Sequence, residues 1–202
     1  MLESYIKEKR QEKDILLMAH MVLGYPDLTT SLHLAEQMEA SGIDVLELQI
    51  PFSEPIADGP VIVQASQKAL ANGTTVTNCL ETARKIASSL SIPVLFMSYY
   101  NILYQYGVDR FAKQAADMGI KGMIVPDAPP DQAPEYFTAL KARNLDAIQF
   151  FSPATSDERM ERLSASADGF IYCIARKGVT GQKTNFSEGM DSYLRRCRQA
   201  TS

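Results

Sequence analysis

The sequence is poor in the residues that build metal sites and disulfide frameworks. Its three cysteines, Cys79, Cys173 and Cys197, show no CxxC spacing, a pattern typical of free thiols in a reducing cytoplasm. Only two histidines are present, which argues against a zinc centre and against a Ser–His–Asp triad. We therefore expect a cytoplasmic protein without a metal.

Long apolar runs and a strong charge of one sign are missing as well. No run reaches the ~20 apolar residues of a membrane span, and the N-terminal segment MLESYIKEKRQEKD is charged and helical in pattern rather than signal-like. The net charge of −4 comes from interspersed acidic and basic residues, which argues against a nucleic-acid surface. Of the 202 residues, 46% are hydrophobic, enough for the core of one domain over residues 1–202.

The most informative stretch is DVLELQIPFSEPIADGP, residues 44–60. Glu47 lies within an otherwise apolar, β-prone run, where a carboxylate is costly unless it is paired, hydrogen-bonded or used in chemistry. Pro51 ends the run, and the following loop carries Asp58. Two carboxylates in such a strand and its loop can form an acid–base pair. The alternative is a buried Glu47 paired with an Arg or Lys, and Asp58 on a surface loop.

Apolar runs alternate with amphipathic segments along the chain. The predicted strands cover residues 15–23, 44–50, 93–98, 121–125, 147–151 and 169–175. The predicted helices cover residues 2–13, 28–41, 60–72, 76–90, 109–118, 131–143, 155–166 and 188–199. Signals for helix starts include Asp27 as an N-cap, Pro60 in a first turn and a Thr155–Glu158 capping box.

The strands are continuous apolar runs, as expected for a parallel sheet covered by helices. This pattern predicts an α/β fold of the TIM (β/α)8 barrel type with about six β/α units present. A closed barrel needs eight strands and ~250 residues, and no seventh or eighth apolar run follows Gly181. We therefore expect an incomplete barrel that lacks the last two strands and helices. Its edge strands would expose unpaired backbone groups, so the chain would aggregate or cover them with a second copy or its terminal helix.

The motif LEL-x-I-PFS-x-P-x-ADGP at 46–60 resembles the second strand and loop of the tryptophan synthase alpha subunit family. The resemblance runs from about residue 15 to about residue 186. Further matching segments are GYPD at 24–27, Tyr99 with Asn101, VPDAP at 125–129 and R-x-GVTG at 176–181. Judged by this resemblance, the chain is a C-terminally shortened alpha subunit.

The resemblance implies a lyase of tryptophan biosynthesis. The family's retro-aldol reaction cleaves indole-3-glycerol phosphate to indole and glyceraldehyde 3-phosphate. Glu47 is implied as the acid–base group, which delivers a proton to indole C3 and removes one from the glycerol hydroxyl. Asp58 is implied to bind the indole N–H and stabilise positive charge on the ring. Tyr172 is implied to pack against and orient Glu47, the alternative being a core tyrosine with a satisfied hydroxyl.

Three positions match the family's indole pocket and two match its phosphate site: Tyr99, Ile124, Phe150, Thr180 and Gly181. Apolar residues at strand ends are more often plain core, so the indole contacts keep that alternative. Arg176 and Lys177 are expected to be solvated. The loops 52–60 and 176–187 are the candidate lids, since glycines in the second let it close over substrate.

The resemblance also implies a protein partner. Family members work in an α2β2 complex whose beta subunit holds pyridoxal phosphate and consumes the indole, so no cofactor is expected in this subunit. Glu54, Pro55 and Asn101 lie on segments implied to contact the beta subunit.

The sequence departs from the family pattern at Gln49, where members usually carry glycine, and at Glu54, where they usually carry Asp. Gln49 shares a strand face with Glu47, so we expect it to hydrogen-bond Glu47 or to crowd the pocket. His20 lies where the family places an aromatic contact to indole. We expect a hydrogen-bonded core residue there rather than a catalyst.

Three classes of function follow. The first is the lyase, and the second is another phosphosugar barrel, such as an isomerase or epimerase, which the PFSEPIADGP loop argues against. The third is an inactive or weakly active fragment that keeps the loops for the beta subunit. We expect weak binding of phosphate-bearing substrates, because Thr180 and Gly181 alone cannot replace the missing loops.

Overall fold

A computed structural model of the chain describes residues 2–174 and 189–201. Within these ranges six parallel strands lie side by side in chain order. The strands are β1 (Met18–Val22), β2 (Val45–Gln49), β3 (Val94–Met97), β4 (Gly122–Ile124), β5 (Asp146–Phe151) and β6 (Ile171–Cys173). The helices are α1 (Leu2–Glu12), α2 (Leu28–Ala40), α3 (Pro60–Ala71), α4 (Val76–Ser89), α5 (Tyr100–Tyr106), α6 (Val108–Asp117), α7 (Pro134–Lys141), α8 (Asp157–Ser164) and α9 (Met190–Ala200). The predicted incomplete barrel of six parallel strands is confirmed.

The central strands are buried on both faces, because successive side chains point alternately into the half-barrel and out towards the helices. The inward side chains form one apolar cluster, which includes Val45, Leu95, Ile124 and Ile148. The outward side chains pack with the helices in a second cluster, which includes Leu46, Phe96, Met123 and Ala147. Burial on both faces explains why the strands are continuous apolar runs in the sequence.

Helix α1 closes the end of the half-barrel at which the strands begin. Leu2 is 1% exposed and belongs to the inward cluster. Its backbone N–H donates to Oδ2 of Asp146 at 3.0 Å, and the Tyr5 hydroxyl donates to the Asp44 carbonyl at 2.9 Å. The first helix is therefore part of the core, and the opposite end of the strands is left for a site.

Shortening Leu2 is expected to destabilise the whole fold. Leu2→Ala should lower the free energy of unfolding by ~2–5 kcal/mol, because it leaves a cavity at the base of the barrel. Leu34→Ala is the matched control, since Leu34 of α2 is 38% exposed. Urea unfolding followed by circular dichroism measures both. Equal small losses in the two variants would show that α1 is not part of the core.

Two predicted helix starts are confirmed. The Asp27 carboxylate caps α2 by accepting the Thr30 N–H at 2.7 Å. Pro60 lies in the first turn of α3, where its missing N–H and fixed φ are tolerated.

The predicted capping box at Thr155 is wrong. Helix α8 begins after Ser156, whose hydroxyl accepts the Arg159 N–H at 3.3 Å. The Thr155 hydroxyl instead accepts the Ser152 N–H at 3.0 Å. Because this hydroxyl is engaged in the loop, the helix starts one residue later.

Two apolar runs are longer than the strands they contain. In the run 15–23 only Met18–Val22 is strand, and Ile15 and Leu17 are 82% and 58% exposed. The Leu17 N–H donates to the Asp44 carboxylate at 2.8 Å, which ties it to the turn before β2. In the run 169–175 the strand is Ile171–Cys173, and residue 175 lies outside the described ranges.

The strands β1 and β6 form the two edges of the described sheet. Helix α9 packs through Tyr193 and Cys197 against Phe151 and the side chains of α8. An open cavity of about 1050 Å³ lies between α9, the end of α8 and β6. The terminal helix therefore covers the outer face beside β6, while neither edge pairs with a further strand within the described residues.

We predict that the 202-residue polypeptide self-associates through these edges, because unpaired edge strands are templates for pairing with another chain. Sedimentation velocity over a 100-fold concentration range should show a shift from monomer to dimer or larger species. A purely monomeric species across that range would contradict this prediction. The single domain over 1–202 likewise stays a prediction.

Candidate active site

His20 and Glu47 form a hydrogen-bonded pair across the first two strands. The parallel register places His20 of β1 beside Glu47 of β2, and neighbouring strands lie ~4.8 Å apart. The Nδ1 atom of His20 is 2.8 Å from Oε1 of Glu47. The Glu47 side chain is only 4% exposed. The buried carboxylate thus has an imidazole as its partner, in place of the Arg or Lys of the alternative interpretation.

Gln49 holds the second carboxylate. Its Nε2 donates to Oδ2 of Asp58 at 2.6 Å, and its side chain is fully buried. The prediction that Gln49 hydrogen-bonds Glu47 is therefore wrong, because the amide N–H of Gln49 donates to Asp58 instead. The loop after β2 brings the Asp58 carboxylate within hydrogen-bond distance of that donor.

Tyr99 ties the same loop to the end of β3. Its hydroxyl accepts the Ala57 N–H at 3.1 Å, and its ring stacks on Phe52 with centroids 5.2 Å apart. Burial, and then the charge of Asp58, raise the pKa of Tyr99 above its ordinary value. Tyr99 therefore lies beside Asp58 and holds its loop against the barrel.

Tyr172 of β6 approaches the carboxylates from the other edge of the half-barrel. Its ring lies 5.3 Å from that of Phe150, measured between centroids, and both residues pack against the inward cluster. Burial, followed by the charges of Glu47 and Asp58, raises the pKa of Tyr172. Ile124 is 1% exposed in the same cluster. The residues implied as an indole pocket thus line the barrel interior.

The residues implied for the beta subunit differ in exposure. Glu54 and Asn101 are exposed, whereas Pro55 is buried. Its neighbour Ile56 is 74% exposed. Both segments adjoin Tyr99, since Asn101 follows it in α5 and the 52–60 loop bonds to its hydroxyl.

The residues implied for the phosphate site, Thr180 and Gly181, lie outside the described residues. The same holds for Arg176, Lys177 and the 176–187 loop.

Three buried polar atoms of the site have no hydrogen-bond partner among residues 2–174 and 189–201: Glu47 Oε2, His20 Nε2 and Gln49 Oε1. An unsatisfied buried polar group costs ~1–3 kcal/mol, so a cluster of three calls for a ligand or a chemical role. Glu47 has one oxygen held by imidazole and the other free to exchange a proton. The arrangement can therefore perform acid–base chemistry beside a second carboxylate.

The electrostatics of the site are set by burial and by the two carboxylates. Burial of His20 acts to lower its pKa, but the hydrogen bond and the charge of Glu47 together outweigh it, so the pKa of His20 lies above its ordinary value. Burial raises the pKa of Asp58, and the hydrogen bond from Gln49 opposes this only in part. His20 therefore keeps its proton to a higher pH than an ordinary histidine, and Asp58 ionises at a higher pH than an exposed aspartate does.

Among the described residues no group of three or more His, Cys, Asp and Glu side chains is arranged to hold a metal ion. A search of the same residues finds no helix with the length and apolar character to cross a membrane.

Comparison with known proteins identifies the family. The model of the family "Tryptophan synthase alpha chain" matches residues 6–202. The chain belongs to this family. The tryptophan synthase alpha chain of Desulforapulum autotrophicum is 55% identical over 202 residues, which are 100% of this chain and 80% of that protein. A structure of Mycobacterium tuberculosis tryptophan synthase is 30% identical with a TM-score of 0.91, covering 98% of this chain and 76% of that one.

A tryptophan synthase alpha chain from Legionella pneumophila has the same fold, with a TM-score of 0.86 and 32% identity over 98% of this chain and 72% of that one. The family confirms the predicted TIM-type barrel and the predicted class, a lyase of tryptophan biosynthesis. It excludes the isomerase and epimerase alternatives. This chain spans about four-fifths of the length of the tryptophan synthase alpha chains of Desulforapulum autotrophicum and Syntrophotalea carbinolica, 80% and 79% respectively.

The residue of the candidate site that sequence reasoning undervalued is His20. It was expected to be a hydrogen-bonded core residue, and it does form a hydrogen bond, but to Glu47. Two signals could have found it. His20 and Glu47 lie in consecutive strands, and each is the titratable residue at the centre of its strand.

Proposed function

We propose that this chain cleaves indole-3-glycerol phosphate to indole and glyceraldehyde 3-phosphate with Glu47 and Asp58 as its catalytic carboxylates. The observation that carries the proposal is their arrangement. Glu47 is hydrogen-bonded to His20 and Asp58 to Gln49, and the two pairs lie beside one another, since the charge of Asp58 also raises the pKa of His20. Family membership indicates the reaction, and the two carboxylates with their partners have the acid–base properties that this reaction needs.

Glu47 is the proposed acid–base group. A proton from its carboxyl is delivered to indole C3, which makes the ring cationic. The resulting carboxylate then removes the proton of the glycerol hydroxyl, and the electrons of the breaking C–C bond neutralise the ring. The free Oε2 of Glu47 supports this role, since it is buried and has no partner among the described residues. Acid–base groups of this kind contribute ~10²–10⁴-fold to rate.

Asp58 is the proposed anion for the cationic ring. An ionised carboxylate beside the indole N–H accepts its hydrogen bond and stabilises the positive charge that develops there. Such preorganised groups are worth ~2.7–4 kcal/mol each in a water-excluded site. Tyr99, Ile124 and Phe150 are proposed to line the indole pocket, with Tyr172 beside Glu47, because their side chains pack around the barrel interior.

The decisive experiment is turnover of indole-3-glycerol phosphate by the 202-residue chain. Glyceraldehyde 3-phosphate is measured with a coupled dehydrogenase, with and without a tryptophan synthase beta subunit. We expect turnover that rises when the beta subunit is present, with a high KM if Thr180 and Gly181 are the whole phosphate site. Stimulation of the beta subunit without any cleavage would instead support the inactive fragment.

The proposed assembly is an α2β2 complex in the cytoplasm. Pyridoxal phosphate is proposed to belong to the beta subunit alone, and this chain to need no cofactor. Glu54, Pro55 and Asn101 are proposed to lie at the contact with the beta subunit, because their segments flank Tyr99 at the site.

Pro55→Ala is expected to weaken mutual activation with the beta subunit. The side chain of Pro55 is buried within the loop, so its loss should alter the shape that the exposed neighbours Glu54 and Ile56 present. A loss of ~1–2 kcal/mol in affinity for the beta subunit is the expected size. Ser53→Ala, exposed on the same loop, is the matched control. Titration of the stimulated rate against beta-subunit concentration measures both, and an unchanged curve for Pro55→Ala would count against this contact.

A further inference from the structure

We infer that His20 is a positioning residue for Glu47 and shares one proton with it, so that the acid–base group of this chain is a His20–Glu47 pair. The inference rests on the proposed function, since Glu47 is taken as the group that exchanges protons with substrate. It concerns a residue at which the family pattern has an aromatic ring.

The geometry supports the positioning role. His20 is aligned with Glu47 by the register of β1 and β2, so its ring reaches the carboxylate without distorting either strand. The contact of 2.8 Å fixes Oε1 and thereby directs Oε2 away from β1. A carboxyl group without this contact would be free to rotate about its terminal torsion, which is broad and roughly two-fold.

The charges around the pair support proton sharing. His20 faces Glu47 and Gln49 of β2 and the Asp58 carboxylate of the following loop, and Tyr172 of β6 faces the same carboxylates. Within the described ranges the ion pairs of Glu47 include no Lys or Arg, and His20 is its partner. The imidazole is therefore the cation available to the buried carboxylate.

The pair then holds one proton in its working state. With the proton on His20, Glu47 is a carboxylate; with the proton on Oε2 of Glu47, the imidazole is neutral, its Nδ1–H is donated to Oε1, and the carboxyl can protonate indole C3 from Oε2. Removal of the glycerol hydroxyl proton returns one proton to Glu47, so the pair is unchanged after each turnover. Loss of the shared proton at high pH stops the cycle, because no acid remains for C3.

Two substitutions separate positioning from proton sharing. His20→Asn keeps an amide donor near the place of Nδ1 but cannot titrate, whereas His20→Phe removes both properties. We expect His20→Phe to lower kcat by ~10- to 100-fold with a smaller change in KM, and His20→Asn to recover part of that loss. In both variants the alkaline limb of the pH profile should move to lower pH by at least about one unit, since carboxyls release protons at lower pH than imidazolium.

A direct test uses the wild-type 202-residue chain without substrate. Proton-detected NMR of the imidazole carbons follows the titration of His20, with His33, the other histidine of the chain, exposed on α2 as the internal reference. In Glu47→Gln the His20 midpoint should fall by at least about one pH unit, because burial, which lowers the pKa of His20, is then opposed only by Asp58 and Gln49. A midpoint that does not move overturns the inference. The His20 midpoint can also depend on Glu47 in a chain that shows no cleavage of indole-3-glycerol phosphate. That result would support the His20–Glu47 pair and overturn the proposed function instead.

Discussion

Glu47→Gln is expected to lower kcat/KM for indole-3-glycerol phosphate by ~10⁴-fold, the upper end of what acid–base groups contribute. The amide has nearly the size of the carboxyl and its oxygen can still accept from His20, so the fold and the pocket should persist. It cannot deliver a proton to indole C3 or remove one from the hydroxyl. Single-turnover assays with the coupled dehydrogenase measure the loss.

The matched control is Glu158→Gln, which makes the same change at an exposed position in the first turn of α8. It should retain the wild-type rate. Its free energy of unfolding should fall by only a few tenths of a kcal/mol, because a negative charge is lost at the start of the helix. If Glu47→Gln kept more than a tenth of wild-type activity, Glu47 would be a structural residue of the barrel and the proposed mechanism would be wrong.

Much of the fold could be predicted because both faces of the strands are buried. Leu46 to Leu48 and Val94 to Met97 are covered from inside and outside, so hydrophobicity marks them clearly. The same signal failed where apolar residues do not enter the sheet, as at Ile15 and Leu17. Hydrophobicity indicates only that a residue prefers burial. Whether a strand lies beside it to form that burial depends on how the whole chain folds.

Short helices were harder to predict than strands. Helix α5 has seven residues and no side-chain cap at its N-terminus, so neither length nor a start signal marks it in the sequence. The sequence predicts the start of α8 one residue too early, because Thr155 and Ser156 are both good N-caps. Ser156 is the cap because the Thr155 hydroxyl already accepts the Ser152 N–H within the loop.

The candidate site was predictable in its residues and not in its contacts. A glutamate inside an apolar strand is conspicuous in any sequence, and so is the Pro-rich loop that carries Asp58. The bonds from His20 to Glu47 and from Gln49 to Asp58 depend on strand register and on how the loop folds back. Both depend on the three-dimensional structure, and they give each of the two carboxylates a hydrogen-bonded partner.

Asp58→Ala is expected to lower kcat/KM by at least ~10²-fold, equivalent to one preorganised electrostatic contact of ~2.7 kcal/mol. Asp58→Asn should cost nearly as much, because the amide keeps the size and an acceptor but not the charge that opposes the indoleninium. Gln49→Ala should cost less than either, since it removes a bond that orients Asp58 and leaves the carboxylate in place. Steady-state assays of the three variants test this order, and an active Asp58→Asn would show that charge is not what Asp58 supplies.

The pH dependence of Asp58 provides an independent check of the same role. Burial raises its pKa, so as the pH falls the carboxylate is neutralised, and activity is lost, at a higher pH than the ~3.9 of an ordinary aspartate. The ionisation of Asp58 has the opposite effect on the free energy of unfolding. A carboxyl whose pKa is raised by folding stabilises the protein below its unfolded pKa, and that contribution is lost as the pH rises through the folded pKa. Asp58→Asn should therefore raise the melting temperature at pH 7 and change it little at pH 3.5. A variant that melts earlier than wild type at pH 7 would mean that the ionised Asp58 is held by partners strong enough to outweigh its burial.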